Sequence, residues 1–436
     1  LTGANLVTQW SLSAISNTLS AISQLTFSNF ETLQGGSAVD TFSITGAVNN
    51  TLNGGAGDDL LLLNEGASFG GAFNGESGND TLSYTTRTSA VTVNLATHTA
   101  TDISGTFINV ESASGGNGND SLIGDAGNNT LNGGLGNDTL VGGAGDDVYA
   151  FNDGWGNDTI TENSGEGSDT LDFHAVTFPL AININTTITV TGNGNAANNV
   201  ANIENVIGSS KDDTFTITNA QTTNLNGDAR NDEFIINNNA TLSGALNGGT
   251  GSDTLNFAAY TSARNFVLTG LGTVDGFKGT EASIPNGFDN VNVLIGTADT
   301  DSLTGTDLNA TWNILNSAGD ARYTVGTNPS AGSGQATLNF SALENLVGGA
   351  GDETFIFADG AKLPGIFNSI DAKAGNDTLD YSAYTTPVNV YLTGGIATGV
   401  TGGVSGFENV IGSLTAGNII YGDSGDNILV SGAGND

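Results

Sequence analysis

Residues 115–150 read GGNGNDSLI (115–123), GDAGNNTLN (124–132), GGLGNDTLV (133–141) and GGAGDDVYA (142–150). These are four nonapeptides in direct succession. Each follows G-G-x-G-x-D-x-U-x, with a large apolar residue at U: Leu122, Leu131, Leu140 and Tyr149. A strict period of this kind means one supersecondary unit stacked on itself. The glycines at positions one, two and four (Gly115, Gly116 and Gly118; Gly133, Gly134 and Gly136; Gly142, Gly143 and Gly145) permit positive φ and close backbone approach, so the chain can turn tightly with carbonyls inward. The sixth residue (Asp120, Asp138, Asp147) adds a carboxylate to that ring. An oxygen-only cage suits a hard cation, calcium before magnesium, which keeps its waters. The last three residues predict a short strand with U facing in. Two units then make one flattened coil, and coils stack at roughly 4.8 Å.

The array resembles the RTX (repeats-in-toxin) calcium-binding β-roll of secreted bacterial proteins. The resemblance implies that each turn shares its ion with the turn two units away. That pairs the Asp120 turn with the Asp138 turn, and the Asn129 turn with the Asp147 turn. Asn129 departs from the pattern and removes one carboxylate. Gly, Asn and Asp are also ordinary turn formers, but four units in perfect register favour the ligand reading.

The chain has 436 residues, 65 of them glycine, and its 45 acidic against 8 basic side chains give a net charge of −37. Such a charge often marks a disordered chain. Here 37% of residues are hydrophobic and recur at strand spacing, so a core can form. Carboxylates stacked one coil apart repel by about 1 kcal/mol per pair in water and several at an effective dielectric near 20. Divalent ions between them convert repulsion into attachment, so metal binding is expected to supply folding energy. With few Lys and Arg there is no electrostatic footprint for nucleic acid or an anionic membrane. The absence of cysteine removes disulfides and thiolate chemistry. No apolar run is long enough to span a bilayer.

The motif recurs outside the array at Gly54 to Leu62 (Asp59), Gly75 to Ser83 (Asp80), Asp153 to Thr161 (Asp158), Ser164 to Asp172 (Asp169), Gly248 to Asn256 (Asp253) and Ala372 to Asp380 (Asp377). For these isolated copies a calcium turn and a metal-free corner are both open. Weaker copies place Ala38 before Asp40, Lys211 before Asp213 and Arg230 before Asp232, and a basic residue in the loop favours a metal-free corner. Gly348 to Ile356 carries Glu353 in the Asp position.

A longer repeat overlies this one. TGANLVTQW (2–10) matches TGTDLNATW (304–312), and LTFSNFETLQGG (25–36) matches TLNFSALENLVGG (337–349). The run at 73–95 matches 367–392, and GDAGNNTLNGGLGND (124–138) matches GDSGDNILVSGAGND (422–436). The second copy stops inside a nonapeptide, Ser431 to Asp436, so more nonapeptides are expected to follow in a parent chain. Short phrases punctuate both halves: FINVES at Phe107, IENVIGS at Ile203, FDNVNVLIG at Phe288, LENLVGG at Leu343 and FENVIGS at Phe407. Each alternates apolar with polar residues and reads as a strand feeding a corner. The expected organisation is a first super-repeat (1–114), a dense calcium β-roll (115–172), irregular coils (173–303) and a second super-repeat (304–436). The fold class is all-β, a parallel β-roll or β-solenoid. On the order of twenty coils would make a rod of roughly 100 Å.

Catalytic constellations are not evident. His98 and His174, each expected on a strand, belong to no metal-ligand spacing, and no G-x-S-x-G elbow is present. Trp10 and Trp312 hold equivalent repeat positions and read as core rather than as sugar platforms. Asn-x-Ser/Thr triplets such as those at Asn49 and Asn309 are treated as chance. The leading expectation is a non-enzymatic structural solenoid of a secreted bacterial adhesin, surface layer or matrix filament, holding several calcium ions. Its further partners would be copies of itself or cell-surface glycans. The alternative is the folding and export module of a secreted enzyme or toxin whose catalytic domain lies elsewhere.

Overall fold

A computed structural model describes residues 1–3, 5–13, 17–20, 24–315, 320–326, 335–364, 368–415, 417–432 and 436. Part of the final nonapeptide (433–435), and Ala4 and Phe367 of the long-repeat matches, lie outside the described residues. Among the described residues the secondary structure is all strand, apart from one 3-10 turn at Leu392–Gly394.

The nonapeptides fold as their pattern dictates. In Ser121–Ile123, Thr130–Asn132 and Thr139–Val141 the central leucine is buried between more exposed neighbours. Successive nonapeptides alternate between two parallel sheets. Ser112 pairs with Thr130 and Thr130 with Val148 in one sheet, while Ser121 pairs with Thr139 and Thr139 with Thr159 in the other. Leu131 therefore lies between Ala113 and Tyr149, and Leu140 between Leu122 and Ile160. Two nonapeptides do make one coil.

The chain forms two compact units: Leu1–Ile182 with Thr186–Ser210, and Asn183–Asn185 with Lys211–Asp436. In the first, coils ahead of the array are three-sided. Asp40–Ile44, Ala47–Val48 and Thr51–Ala56 stack in parallel on Leu60–Leu63, Ser68–Phe69 and Ala72–Ser77. The second unit repeats the parallel stacking, as in Thr214–Ile217, Glu233–Ile236, Thr254–Asn256 and Val293–Ile295. Antiparallel excursions interrupt it, such as Ala310–Ile314 with Ala321–Val325. The fold is thus a parallel β-roll within each unit.

The core is a set of in-register side-chain stacks. Trp10 lies on Phe42 with ring centroids 5.7 Å apart, and Trp312 on Phe355 at 5.3 Å. Both tryptophans are fully buried, which leaves neither face for a sugar. The histidines are not on strands. His98 sits in a turn with φ of 54°, and His174 in a turn beside Asp172, 3.0 Å from Nδ1 to Oδ1.

Candidate metal centres

The sixth-position carboxylates form columns. In the first unit the amide of Asp120 donates to Asp138 Oδ1 (2.7 Å), and that of Asp138 to Asp158 Oδ1 (2.9 Å). On the other edge Asn129 donates to Asp147 Oδ1 (2.7 Å) and Asp147 to Asp169 Oδ1 (2.9 Å). The turns that the resemblance pairs are therefore neighbours. A third column runs Asp40, Asp59, Asp80, with amide-to-carboxylate distances of 2.7 and 2.7 Å. The second unit has Asp213, Asp232 and Asp253 (2.7 and 2.9 Å) and the pair Glu353 and Asp377 (2.7 Å). Each of these acidic side chains is at most 3% exposed.

Each column uses one carboxylate oxygen per rung. The second oxygen of Asp59, Asp80, Asp138, Asp147, Asp158, Asp232, Asp253 and Asp377 is buried with no hydrogen-bond partner. Burying an unpaired carboxylate oxygen is costly. Desolvation accordingly pushes the pKa up, to about 6 at Asp80, Asp147 and Asp377, about 7 at Asp59, Asp138 and Asp253, about 8 at Asp158 and about 9 at Asp232. Asp120 and Asp169 are raised for the same first reason. A column of acids this deep needs protons or cations, and a hard divalent cation fits an all-oxygen donor set.

The glycines explain which oxygen is left over. The first glycine needs no positive φ; it is bare because the sixth carboxylate folds back over it. A Cβ on Gly133 would strike Asp138 Oδ2, and one on Gly142 would strike Asp147 Oδ2. The second position has two states. At Gly116 the amide donates to Asp120 Oδ2 (2.6 Å), as Gly36 does to Asp40 (2.6 Å). At Gly134, Gly143, Gly55 and Gly249 φ is 93°, 111°, 116° and 96°. Four residues on, Asp138, Asp147, Asp59 and Asp253 keep the orphan oxygen. Glu76, Asp228 and Lys373 take the same conformation (φ 73°, 74° and 75° in the order Glu76, Lys373, Asp228) despite their side chains. Left-handed backbone at a non-glycine residue costs about 1 kcal/mol. Of the fourth-position glycines of the array, Gly136 (131°) and Gly145 (113°) have positive φ, whereas Gly118 and Gly127 do not.

Sequence reasoning missed how the columns end. Asp80 donates its amide to Glu111 Oε2 (2.9 Å), while Glu111 turns its own amide back to the Asp80 carbonyl (3.0 Å). The same reciprocal pair joins Asp169 with Glu204, Asp301 with Glu344 and Asp377 with Glu408. Asp253 and Asn292 form its amide version. These terminators are the acids of the punctuating phrases. Asp40, Asp213, Asp232 and Asp301 were also outside the favoured set, though each is buried like the others. Arg230 is exposed, and the Asp232 carboxylate accepts the Asp213 amide (2.7 Å) as the other rungs do.

The family of RTX calcium-binding nonapeptide repeats matches the chain in four copies, over residues 44–69, 114–149 and 415–436. No curated protein matches the chain. The first two matched stretches contain the turns of Asp59, Asp120, Asp138 and Asp147.

Proposed function

Because the chain carries RTX calcium-binding nonapeptide repeats, we infer that it is a calcium-stabilised structural segment of a secreted bacterial protein, serving an adhesin, a surface layer or a matrix filament. The repeats suggest calcium binding and a secreted setting. No helix among the described residues is long and apolar enough to cross a membrane. The observation that carries the reading is the run of buried, partnerless carboxylate oxygens at the sixth positions, spaced one coil apart. Asp59, Asp80, Asp120, Asp138, Asp147, Asp158, Asp169, Asp253 and Asp377 would supply the side-chain ligands, and calcium would supply the charge that holds adjacent rungs together. Typical extracellular sites have dissociation constants of about 0.1–1 mM, so the sites would fill only outside the cell. Two levels of repeat support a structural role over an export module.

Circular dichroism during a calcium titration, with magnesium as control, tests the metal. Strand signal should rise with calcium and be lost on chelation; a signal indifferent to chelator overturns the reading. The sequence flanking this segment in its parent gene separates the roles. Further super-repeats support the structural reading, and a protease, lipase or cyclase domain replaces it with the export module.

A further inference from the structure

Glu162 lies outside the nonapeptide pattern, directly after the strand Asn157–Thr161. Nevertheless it is 7% exposed. Its Oε1 accepts a hydrogen bond from the Tyr149 hydroxyl, and its Oε2 is buried without a partner. Carboxylate oxygens of Asp147, Glu162 and Asp169 all lie within 4.8 Å of one another. Their floor is the α-carbon of Gly142, where a Cβ would run into both Asp147 Oδ2 and Glu162 Oε1. The Gly142 amide donates to Tyr149 Oη (2.6 Å), which fixes the tyrosine that in turn holds Glu162.

We propose that Asp147, Glu162 and Asp169 form a cation site in which a carboxylate from outside the repeat joins those of two corners, and that it takes one hard ion of calcium size. A repeat corner contributes one carboxylate from its own turn. Here a third carboxylate, from a strand end, is brought to two rungs of a column. Two residues of the cluster, Asp147 and Glu162, each keep one buried oxygen (Oδ2 and Oε2) without a hydrogen-bond partner. More ligand charge on a fixed floor tightens binding of a hard cation and favours a trivalent lanthanide still more. Tyr149 occupies the apolar position that leucine holds in the other three nonapeptides, and its hydroxyl has a use there that leucine lacks. The proposal rests on the reading of Asp147 and Asp169 as metal-facing, and adds Glu162 and Tyr149 to it.

The test is titration of the full chain with terbium, read by luminescence sensitised through its aromatic side chains and displaced by calcium. The wild-type chain should show a first phase of one ion, at least tenfold tighter than later phases. Glu162→Gln keeps an acceptor for Tyr149 and removes the charge. It should weaken the first phase at least tenfold and leave later phases in place. Asp138→Asn, on the other edge, should do the reverse. Circular dichroism in saturating calcium checks that each variant folds. An unaltered first phase in folded Glu162→Gln overturns the proposal, as does uniform weakening of every phase. A wild-type chain that binds a single ion, lost in Glu162→Gln, upholds this site and removes the reading of the repeat corners.

Discussion

Asn129 stands where the repeat calls for aspartate, and its surroundings require the amide. Its Oδ1 accepts the Asp125 amide (2.7 Å), while Nδ2 donates to the Glu111 carbonyl (3.1 Å) and to Asp125 Oδ1 (3.3 Å). A carboxylate would set one oxygen against that carbonyl. Asn427 repeats the arrangement with Asp423, and the strand after it begins on the Glu408 carbonyl as the strand after Asn129 begins on that of Glu111. Both asparagines thus follow a terminator. Asn129→Asp, though it restores the consensus, should destabilise the metal-free chain by about 1–3 kcal/mol. The measurement is the urea midpoint in chelator; a midpoint at or above wild type would contradict the account. That Asn129 breaks the pattern was legible in the sequence. The reason was not, because it lies in a backbone carbonyl supplied by another coil.

Among the elements, the strands and their register were the most readable, since a period of nine with one apolar position leaves little choice of inward face. The corners were half readable. Glycine at position one looked like conformational freedom, yet at Gly133 it is room for the Asp138 carboxyl. The terminators were hardest. A glutamate in IENVIGS looks like an exposed charge beside a strand, and only the amide of Asp169, 35 residues earlier, gives it a role. Glu204→Ala should leave that part-buried amide unsatisfied and cost about 1–3 kcal/mol. Glu204→Gln keeps an acceptor and should recover most of the loss, with both read from urea midpoints. Equal loss in the two variants would mean that charge, rather than the hydrogen bond, is what Glu204 provides.

For the whole molecule, the raised carboxyl pKa values set a pH dependence. Asp59, Asp138, Asp158 and Asp232 have ordinary values of 3.8 when unfolded and about 7, 7, 8 and 9 when folded. The folded state therefore holds more protons than the unfolded state between about pH 4 and pH 8, and stability falls as pH rises. The metal-free chain should melt at a higher temperature at pH 5 than at pH 8. Saturating calcium should reverse that order, because bound ions require ionised ligands. Thermal melts at the two pH values, with chelator and with calcium, check both signs. A metal-free chain that gains stability toward pH 8 would show that the carboxylates are not desolvated as the columns imply.

The columns also have a direction. Every rung lends its amide to the carboxylate of the coil that follows, never to the one before. Harm therefore spreads one way: removing the Asp169 side chain strands the amide of Asp147 but leaves the bond from the Asp169 amide to the Glu204 carboxylate in place. Each terminator ends the run of carboxylates: Glu111 returns its amide to the Asp80 carbonyl, and its own carbonyl takes the Thr130 amide and Asn129 Nδ2 from the coil that follows. A lost carboxylate thereby frees an amide only in the coil ahead of it, while the backbone ladder runs on past the terminator from Ser112 to Thr130 and keeps the next block attached.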